Sequence, residues 1–184
     1  MLQYAIFRTK WGYFGLAGTE QALCRTFLPA SERQKAEQGL LRDLRPANDN
    51  PRLDKDFQRN LQERIIAYYE GQPVDFRGGP AVSLDGAGPF VQEVLHACRK
   101  IAFGQTMTYA GLAKQVGSPN AARAVGSALA SNPIPLIIPC HRVLRTDGGL
   151  GGFSAPGGTD TKRKMLRHEQ VIGLAALGSS DASG

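Results

Sequence analysis

The densest chemistry in the chain sits in seven consecutive residues, Ile137-Ile138-Pro139-Cys140-His141-Arg142-Val143. An apolar run delivers a thiol and an imidazole side by side. The thiolate, not the thiol, is the nucleophile, and a nearby His, Arg or helix N-terminus lowers a thiol's pKa. Two readings of Cys140 stand at this point. It is a nucleophile served by His141, or a small buried filler behind an Ile-Ile-Pro run. Adjacent side chains need not bond directly, so a water relay between them is compatible with the first reading.

Two further residues could act beside such a thiol. Arg123 is the only charge in Asn120-Ala121-Ala122-Arg123-Ala124-Val125-Gly126-Ser127-Ala128. A helix that reads bases in the major groove needs several long polar side chains. A small-residue helix with one arginine suits a narrow groove, with the arginine inserted. The bland alternative is a packed Ala-rich helix with Arg123 in a salt bridge. Tyr109 is a core or interface residue, or a phenol that donates a proton to a reacting base.

These residues need elements to hold them. The first 28 residues alternate as three strands, at Leu2–Phe7, Tyr13–Ala17 and Leu23–Leu28, with Lys10-Trp11-Gly12 as a turn; this predicts an antiparallel meander. Ser31-Glu32-Arg33-Gln34 has capping-box spacing and predicts a helix to about Leu44. Residues 45–53 read as a loop. Asp54 is placed to cap a helix whose apolar face is Phe57, Leu61, Ile65 and Tyr68, ended by Gly71. Val74 to Phe76 reads as a short strand. Residues 77–89 hold four glycines and two prolines and read as an interdomain linker.

Beyond the linker the pattern turns helical. Pro89 opens a helix with Phe90, Val91, Val94, Leu95, Cys98 and Ile101 inward. Thr108 is placed to cap a short helix, Tyr109 to Val116, closed by Gly117. Ser118-Pro119 is expected to open the next, running to about Ser131. Two short helices joined by a tight Gly-containing turn are a helix-turn-helix signal. Val143-Leu144 are strand-like, Asp147-Gly148-Gly149 is a turn, and a last helix begins near Thr159 and carries Lys162, Leu166 and Glu169. The tail, 173–184, is small and polar and is expected to be disordered.

Composition bounds the function. The 184 residues are 42% hydrophobic and 21% charged, which suits a globular chain with a core of its own. No stretch approaches the ~20 apolar residues of a membrane span. The start, Met1 to Arg8, lacks a basic head followed by a long apolar run, so no signal peptide and a cytoplasmic location are expected. Three cysteines, Cys24, Cys98 and Cys140, form no CxxC pair. Neither a disulfide framework nor a zinc site is suggested. The net charge of +6 is uneven: residues 1–85 carry 12 basic and 11 acidic residues, residues 86–170 carry 10 and 4. That basic second half is a polyanion footprint or a solvated basic face.

In order, Phe103-Gly104-Gln105-Thr106-Met107-Thr108-Tyr109, Ala121-Ala122-Arg123-Ala124-Val125-Gly126, Asn132-Pro133, Ile138-Pro139-Cys140-His141-Arg142-Val143, Gly152-Phe153 and Lys162 through Glu169 closely resemble one family. It is the methylated-DNA–protein-cysteine methyltransferases, which repair guanine alkylated on its 6-oxygen. The strong match covers roughly 88–170.

The resemblance implies a ribonuclease-H-like α/β domain over 1–80, followed over 86–172 by a winged-helix-like helix-turn-helix domain that binds DNA and holds the site. It implies double-stranded DNA as partner, bound in the minor groove by a monomer, with the damaged nucleotide flipped out and Arg123 filling the stack. Cys140 would attack the alkyl carbon. His141 would take the thiol proton through a water, Glu169 would orient His141, and Tyr109 would donate toward the base. Asn132 would tie the helix-turn-helix to the active-site strand. The expected DNA-binding residues are Arg123, Ala122, Ala124, Gly126, Thr108 and Ser118. The expected pocket residues are Val143, Phe153, Ser154 and Lys162. Carbonyls of Cys140 and Val143 would accept from the exocyclic amine, and the Ser154 N–H would reach the 6-oxygen. The 4-oxygen of thymine would be a second target. No metal and no cofactor are implied, since Cys24 lacks partner ligands.

Phe153 stands where the family commonly has tyrosine, and the loop 154–161 is about two residues longer than in its best-known members. Two rivals remain. A sensor or helix-turn-helix regulator would mark DNA without chemistry and would survive Cys140→Ala. A thiol hydrolase using Cys140 and His141 would turn over and would need an oxyanion hole.

Overall fold

The computed structural model describes residues 1–42, 44 and 50–170. The expected tail from 173 and most of the expected loop at 45–53 lie outside them. The chain has an α/β fold with a mixed sheet and divides into two compact units. The first is Met1–Ala87 with Pro133–Ile137; the second is Gly88–Asn132 with Ile138 onward.

In the first unit, β1 (Gln3–Thr9), β2 (Gly12–Gly18) and β3 (Leu23–Ala30) form an antiparallel meander. Alternation drives it: Tyr4, Ile6 and Ala17 are buried with Ala36 and Leu40. Gly12 closes the β1–β2 turn at φ +127, and a Cβ there would stand 2.4 Å from the Ala30 carbonyl oxygen. Helix α1 (Arg33–Leu41) covers the sheet. The expected capping box is absent: Glu32 is the N-cap, no side chain caps it, and the helix ends at Leu41. Arg33 instead reaches back to the Ile6 carbonyl at 3.0 Å.

Residues 52–53 are not loop. They form β4 (Arg52–Leu53), parallel to β1, giving the order β3-β2-β1-β4. Two exposed residues carry no alternation, so edge pairing alone makes this strand. Asp54 does not cap α2 (Arg59–Tyr69); Gln58 holds the N-cap position at φ +54, with no side-chain cap bond. Asp54 instead accepts from the Asp56 N–H in a preceding turn. Phe57, Leu61, Ile65 and Tyr68 are buried as their spacing predicts.

No strand forms over Val74–Phe76. The glycine-rich 77–89 segment is not a free linker either. Leu23 bonds Ala81 and Ser83, forming a bridge to Val82, and Leu84 is buried. Two apolar residues among the glycines are enough to dock it. Pro133–Ile137 belongs to this unit because Thr26 bonds the Pro133 and Pro135 carbonyls.

In the second unit, α3 (Pro89–Arg99) has Pro89 at its first position and buries Val94, Leu95 and Cys98. A two-stranded parallel ribbon follows, β5 (Met107–Thr108) with β6 (Val143–Leu144). Helix α4 (Tyr109–Gln115) starts on it, with the Thr108 hydroxyl accepting from the Gly111 N–H at 2.9 Å. Gly117 at φ +74 ends α4, with Gly117 N–H on Lys114 and Ser118 N–H on Ala113. That double bond pattern is a Schellman cap. Helix α5 starts later than expected, at Ala122 after a turn in which Ala121 N–H bonds the Ser118 carbonyl, and runs to Ala130. Helix α6 (Gly158–His168) starts after Gly157, so the expected 154–161 loop is half helix.

Gly12→Ala should lower the stability of the first unit by about 2–3 kcal/mol, combining left-handed strain with a clash. Chemical denaturation of the variant against the parent measures it. An unchanged midpoint would contradict the turn geometry.

Candidate active site

A single 3-10 turn, Cys140–Arg142, carries a thiol, an imidazole and a guanidinium, all buried. It is not a strand, as expected of the segment bearing Cys140; the strand begins only at Val143. The turn is fixed at both ends. Arg142 N–H bonds the Pro139 carbonyl, and the Val143 N–H bonds that of Cys140. Upstream, Asn132 Nδ2 donates to the Ile138 carbonyl at 2.9 Å, holding the end of α5 to the segment before Cys140.

Helix α6 supplies the other side of the site. Lys162, Met165, Leu166 and Glu169 fall at i, i+3, i+4 and i+7, and all four are buried. Seven residues are two turns, so Lys162 and Glu169 face the same way roughly 10 Å apart along the axis. Each reaches a different part of the 3-10 turn and ribbon.

Glu169 is the hub at one end. Its Oε1 is 2.7 Å from His141 Nε2. Arg142 donates to it twice, Nε to Oε2 at 2.9 Å and Nη2 to Oε1 at 3.0 Å. The Gly104 N–H donates to Oε2 at 3.2 Å. Arg142 is itself held by the Ile101 carbonyl at 2.7 Å. Burial alone would push Glu169 up; the contacts with His141 and Arg142 outweigh it and hold the carboxyl well below the usual range. Burial lowers His141, with Glu169 opposing. Since the carboxylate accepts at Nε2, the proton sits there and Nδ1 carries the lone pair. Among the described residues no group bonds Nδ1, although it is buried.

Lys162 organises the other end. Its Nζ donates to the Val143 carbonyl at 2.7 Å, to the Gly152 carbonyl at 3.3 Å and to Tyr109 Oη at 3.3 Å. Burial lowers its pKa from 10.5 to about 8. Burial pushes the Cys140 thiol up, while the Asn132 side chain and the Lys162 ammonium pull it down. Tyr109 is raised by burial.

Cys140, 8% exposed, opens onto a cavity of about 890 Å³. Tyr109, Ala122, Arg123, Gly126, Phe153 and Ser154 line it too. The expected residues Thr108, Ser118, Ala124, Val143 and Lys162 do not. Thr108 is spent on the α4 cap, Ser118 sits in the turn between α4 and α5, and Ala124 is on the exposed face of α5. Val143 joins the site through its carbonyl rather than its side chain. Arg123 is exposed and forms no ion pair among the described residues, which removes the packed salt-bridge reading.

Sequence reasoning missed Arg142, Gly151 and Cys98. Arg142 was signalled by its place next to His141: a buried carboxylate needs a countercharge. Gly151, at φ +70, passes so close to Tyr109 that a Cβ would stand 2.5 Å from Oη. Cys98 lies behind Cys140, where burial and then the Cys140 charge raise it well above its ordinary value.

A carboxylate with a depressed folded pKa contributes stability above its ordinary value, here 4.5, and loses it on acidification. Glu169→Gln should therefore cost about 3–5 kcal/mol at neutral pH. The gap to the parent should narrow as pH falls below that ordinary value. Urea unfolding across a pH series tests this, and a gap constant with pH would contradict the ionised network.

Comparison with known proteins agrees with this architecture. The family described as 6-O-methylguanine DNA methyltransferase, DNA binding domain, matches residues 89–171. The chain is 44% identical over 109 residues to the methylated-DNA–protein-cysteine methyltransferase of Mus musculus, spanning 59% of this chain and about half, 50%, of that protein. It is 32% identical over 178 residues to that of Mycolicibacterium paratuberculosis, covering 96% and 98% of the two. A crystal structure of Mycobacterium tuberculosis OGT in complex with DNA superposes with a TM-score of 0.73, at 30% identity over 91% of this chain and 92% of that one. With both units and the cysteine-bearing turn covered by such relatives, the chain belongs to the methylated-DNA–protein-cysteine methyltransferase family.

Proposed function

We propose that this protein repairs DNA by transferring a methyl or larger alkyl group from the 6-oxygen of guanine to Cys140, once per chain. The observation that carries the reading is a buried cysteine opening onto a cavity that also holds Tyr109 and Arg123, backed by the His141–Glu169 pair. The relatives' shared name and the DNA-bound neighbour support the substrate class.

The geometry supports the following steps. His141 Nδ1 takes the thiol proton through a water. Cys140 Sγ forms a bond to the alkyl carbon as the carbon–oxygen bond breaks in line. The electron pair stays on the base, and Tyr109 donates toward it as charge develops. Glu169 holds the imidazole and stabilises its cation; Arg142 holds Glu169. An alkyl thioether is not readily hydrolysed, so the protein is consumed. The 4-oxygen of thymine is a second target of the same displacement.

DNA recognition belongs to α5. Ala122 and Gly126 beside Arg123 allow close approach of a backbone in the minor groove, and Arg123 fills the gap left by a flipped base. Thr108, Ser118 and Ala124 contact the backbone outside the cavity. In the pocket, the Ser154 N–H reaches the 6-oxygen, and Phe153 supplies apolar wall without a hydroxyl. The carbonyls of Cys140 and Val143 each already accept one hydrogen bond, from Val143 N–H and from Lys162. Each keeps a second lone pair for the exocyclic amine. In architecture, the first unit reads as ribonuclease-H-like and the second as winged-helix-like, its wing being the Asp147–Gly149 turn. The protein would act as a monomer in the cytoplasm.

Intact mass after mixing with a duplex bearing one methylated guanine tests the reading. A gain of one methylene equivalent, mapped to Cys140 and saturating at one per chain, is expected, and none with Cys140→Ala. Folded protein that binds the damaged duplex without gaining mass would overturn alkyl transfer in favour of a damage sensor.

Arg123→Ala should slow repair of duplex by at least about tenfold while leaving transfer from the free modified base nearly unchanged, since only the duplex has a stack to refill. Transfer rates on both substrates decide it. Equal losses would contradict the inserted role.

A further inference from the structure

We propose that Arg145 grips a backbone phosphate of the lesion strand at the rim of the Cys140 cavity, exchanging its Asp147 partner for that phosphate when the duplex is bound. This rests on the alkyl-transfer reading above and adds to it the group that holds the flipped strand.

The cavity onto which Cys140 opens is lined by residues of α5 and also by Arg145, Thr146 and Asp147. Among the described residues, the charged side chains of that lining are Arg123, Arg145 and Asp147. Arg123 is committed to the gap in the base stack, which leaves Arg145 as the other cation. A nucleotide turned into the cavity brings its flanking phosphates to the rim, because base and phosphate are joined through one sugar. An anion therefore arrives where Arg145 stands.

The local turn holds the guanidinium there. Arg145 N–H donates to the Gly149 carbonyl at 2.9 Å, and Gly148 N–H donates to the Arg145 carbonyl at 3.0 Å. Gly148 supplies the left-handed conformation this turn needs, at φ +83. Asp147 Oδ1 accepts from the Gly149 N–H at 2.9 Å, and Oδ2 accepts from Arg145 Nη2 at 2.7 Å. A guanidinium has five N–H donors. The Asp147 bond takes one, so enough remain for the two parallel bonds that a phosphate accepts.

The exchange is cheap on the protein side. Both members of the Arg145–Asp147 pair are exposed, and exposed pairs contribute little. On the DNA side, contact with a phosphate releases condensed counterions. Asp147 then becomes a second anion competing for one guanidinium. Removing its charge should therefore strengthen binding, whereas removing Arg145 should weaken it. Opposite signs at two bonded residues separate a phosphate grip from a pair that merely stiffens the turn.

The experiment combines these variants with a phosphate scan. A duplex carrying one methylated guanine is made with a neutral methylphosphonate at each phosphate flanking the lesion in turn. Affinity is measured across a salt series in a Cys140→Ala background, where no substrate is consumed. Arg145→Gln should weaken binding by at least about threefold and reduce the slope of log affinity against log salt by about one. One methylphosphonate should weaken the background protein by a similar factor, yet cost Arg145→Gln less than about 1.5-fold. Asp147→Asn keeps Oδ1 for the Gly149 N–H and should tighten binding by at least about twofold. With Cys140 intact, methyl transfer from the free modified base should be unchanged in both variants, since that substrate has no phosphate. Equal weakening by Arg145→Gln and Asp147→Asn, or methylphosphonate losses that are the same with and without Arg145, would overturn the proposal. The expected phosphate pattern in a protein that gains no methyl with Cys140 present would uphold the grip and overturn the alkyl-transfer reading instead.

Discussion

A buried carboxylate cannot stand alone, and Glu169 has four donors converging on it. The rest of the second unit is arranged around meeting that demand. Arg142 supplies the countercharge and two of the bonds, and in doing so fixes the 3-10 turn that carries Cys140. The Gly104 N–H brings in the segment between α3 and β5. His141 takes what remains of Oε1 and is thereby held in one ring orientation. His141 is positioned by a network in which Arg142 supplies the countercharge to Glu169. Such a pair adds little net stability over an apolar replacement, but it specifies geometry, since breaking it leaves an uncompensated charge.

The same helix holds a second, opposite charge at its other end. Lys162 and Glu169 are two turns apart on one face of α6. Among the described residues one has an ion-pair partner and the other has none. Glu169 holds the His141 ring in one orientation, with Arg142 as its countercharge. Lys162 donates instead to two carbonyls and the Tyr109 phenol. The spacing of one short helix thus sets two electrostatic environments on either side of a single cysteine.

Much of this was legible in the sequence, and for identifiable reasons. The meander, the apolar faces of α2 and α3 and the inward row of α6 follow from periodicity, which burial enforces. Cys140, His141 and Glu169 come together because the Pro-Cys-His-Arg-Val segment and the Lys-to-Glu spacing on α6 are strong local signals. What was not legible depended on partners distant in sequence. β4 exists only because β1 has an open edge. The 77–89 segment docks through Val82 and Leu84, two residues among many glycines. Ser118 looked like a helix start because its side chain suits a cap, yet its N–H closes the helix before it.

The expected DNA-facing residues show the same limit in a sharper form. Sequence placed Thr108, Ser118, Ala124, Ala122, Gly126 and Arg123 in one set, but the fold divides them. Buried positions Val125, Ala128 and Leu129 fix how α5 is rotated. That rotation alone decides that Ala122, Arg123 and Gly126 face the cavity while Ala124 faces solvent. The small side chains matter on the cavity side, where bulk would fill the space beside Cys140. A helix packed by three apolar residues therefore sets both which small residues line the pocket and the placement of Arg123 at its rim.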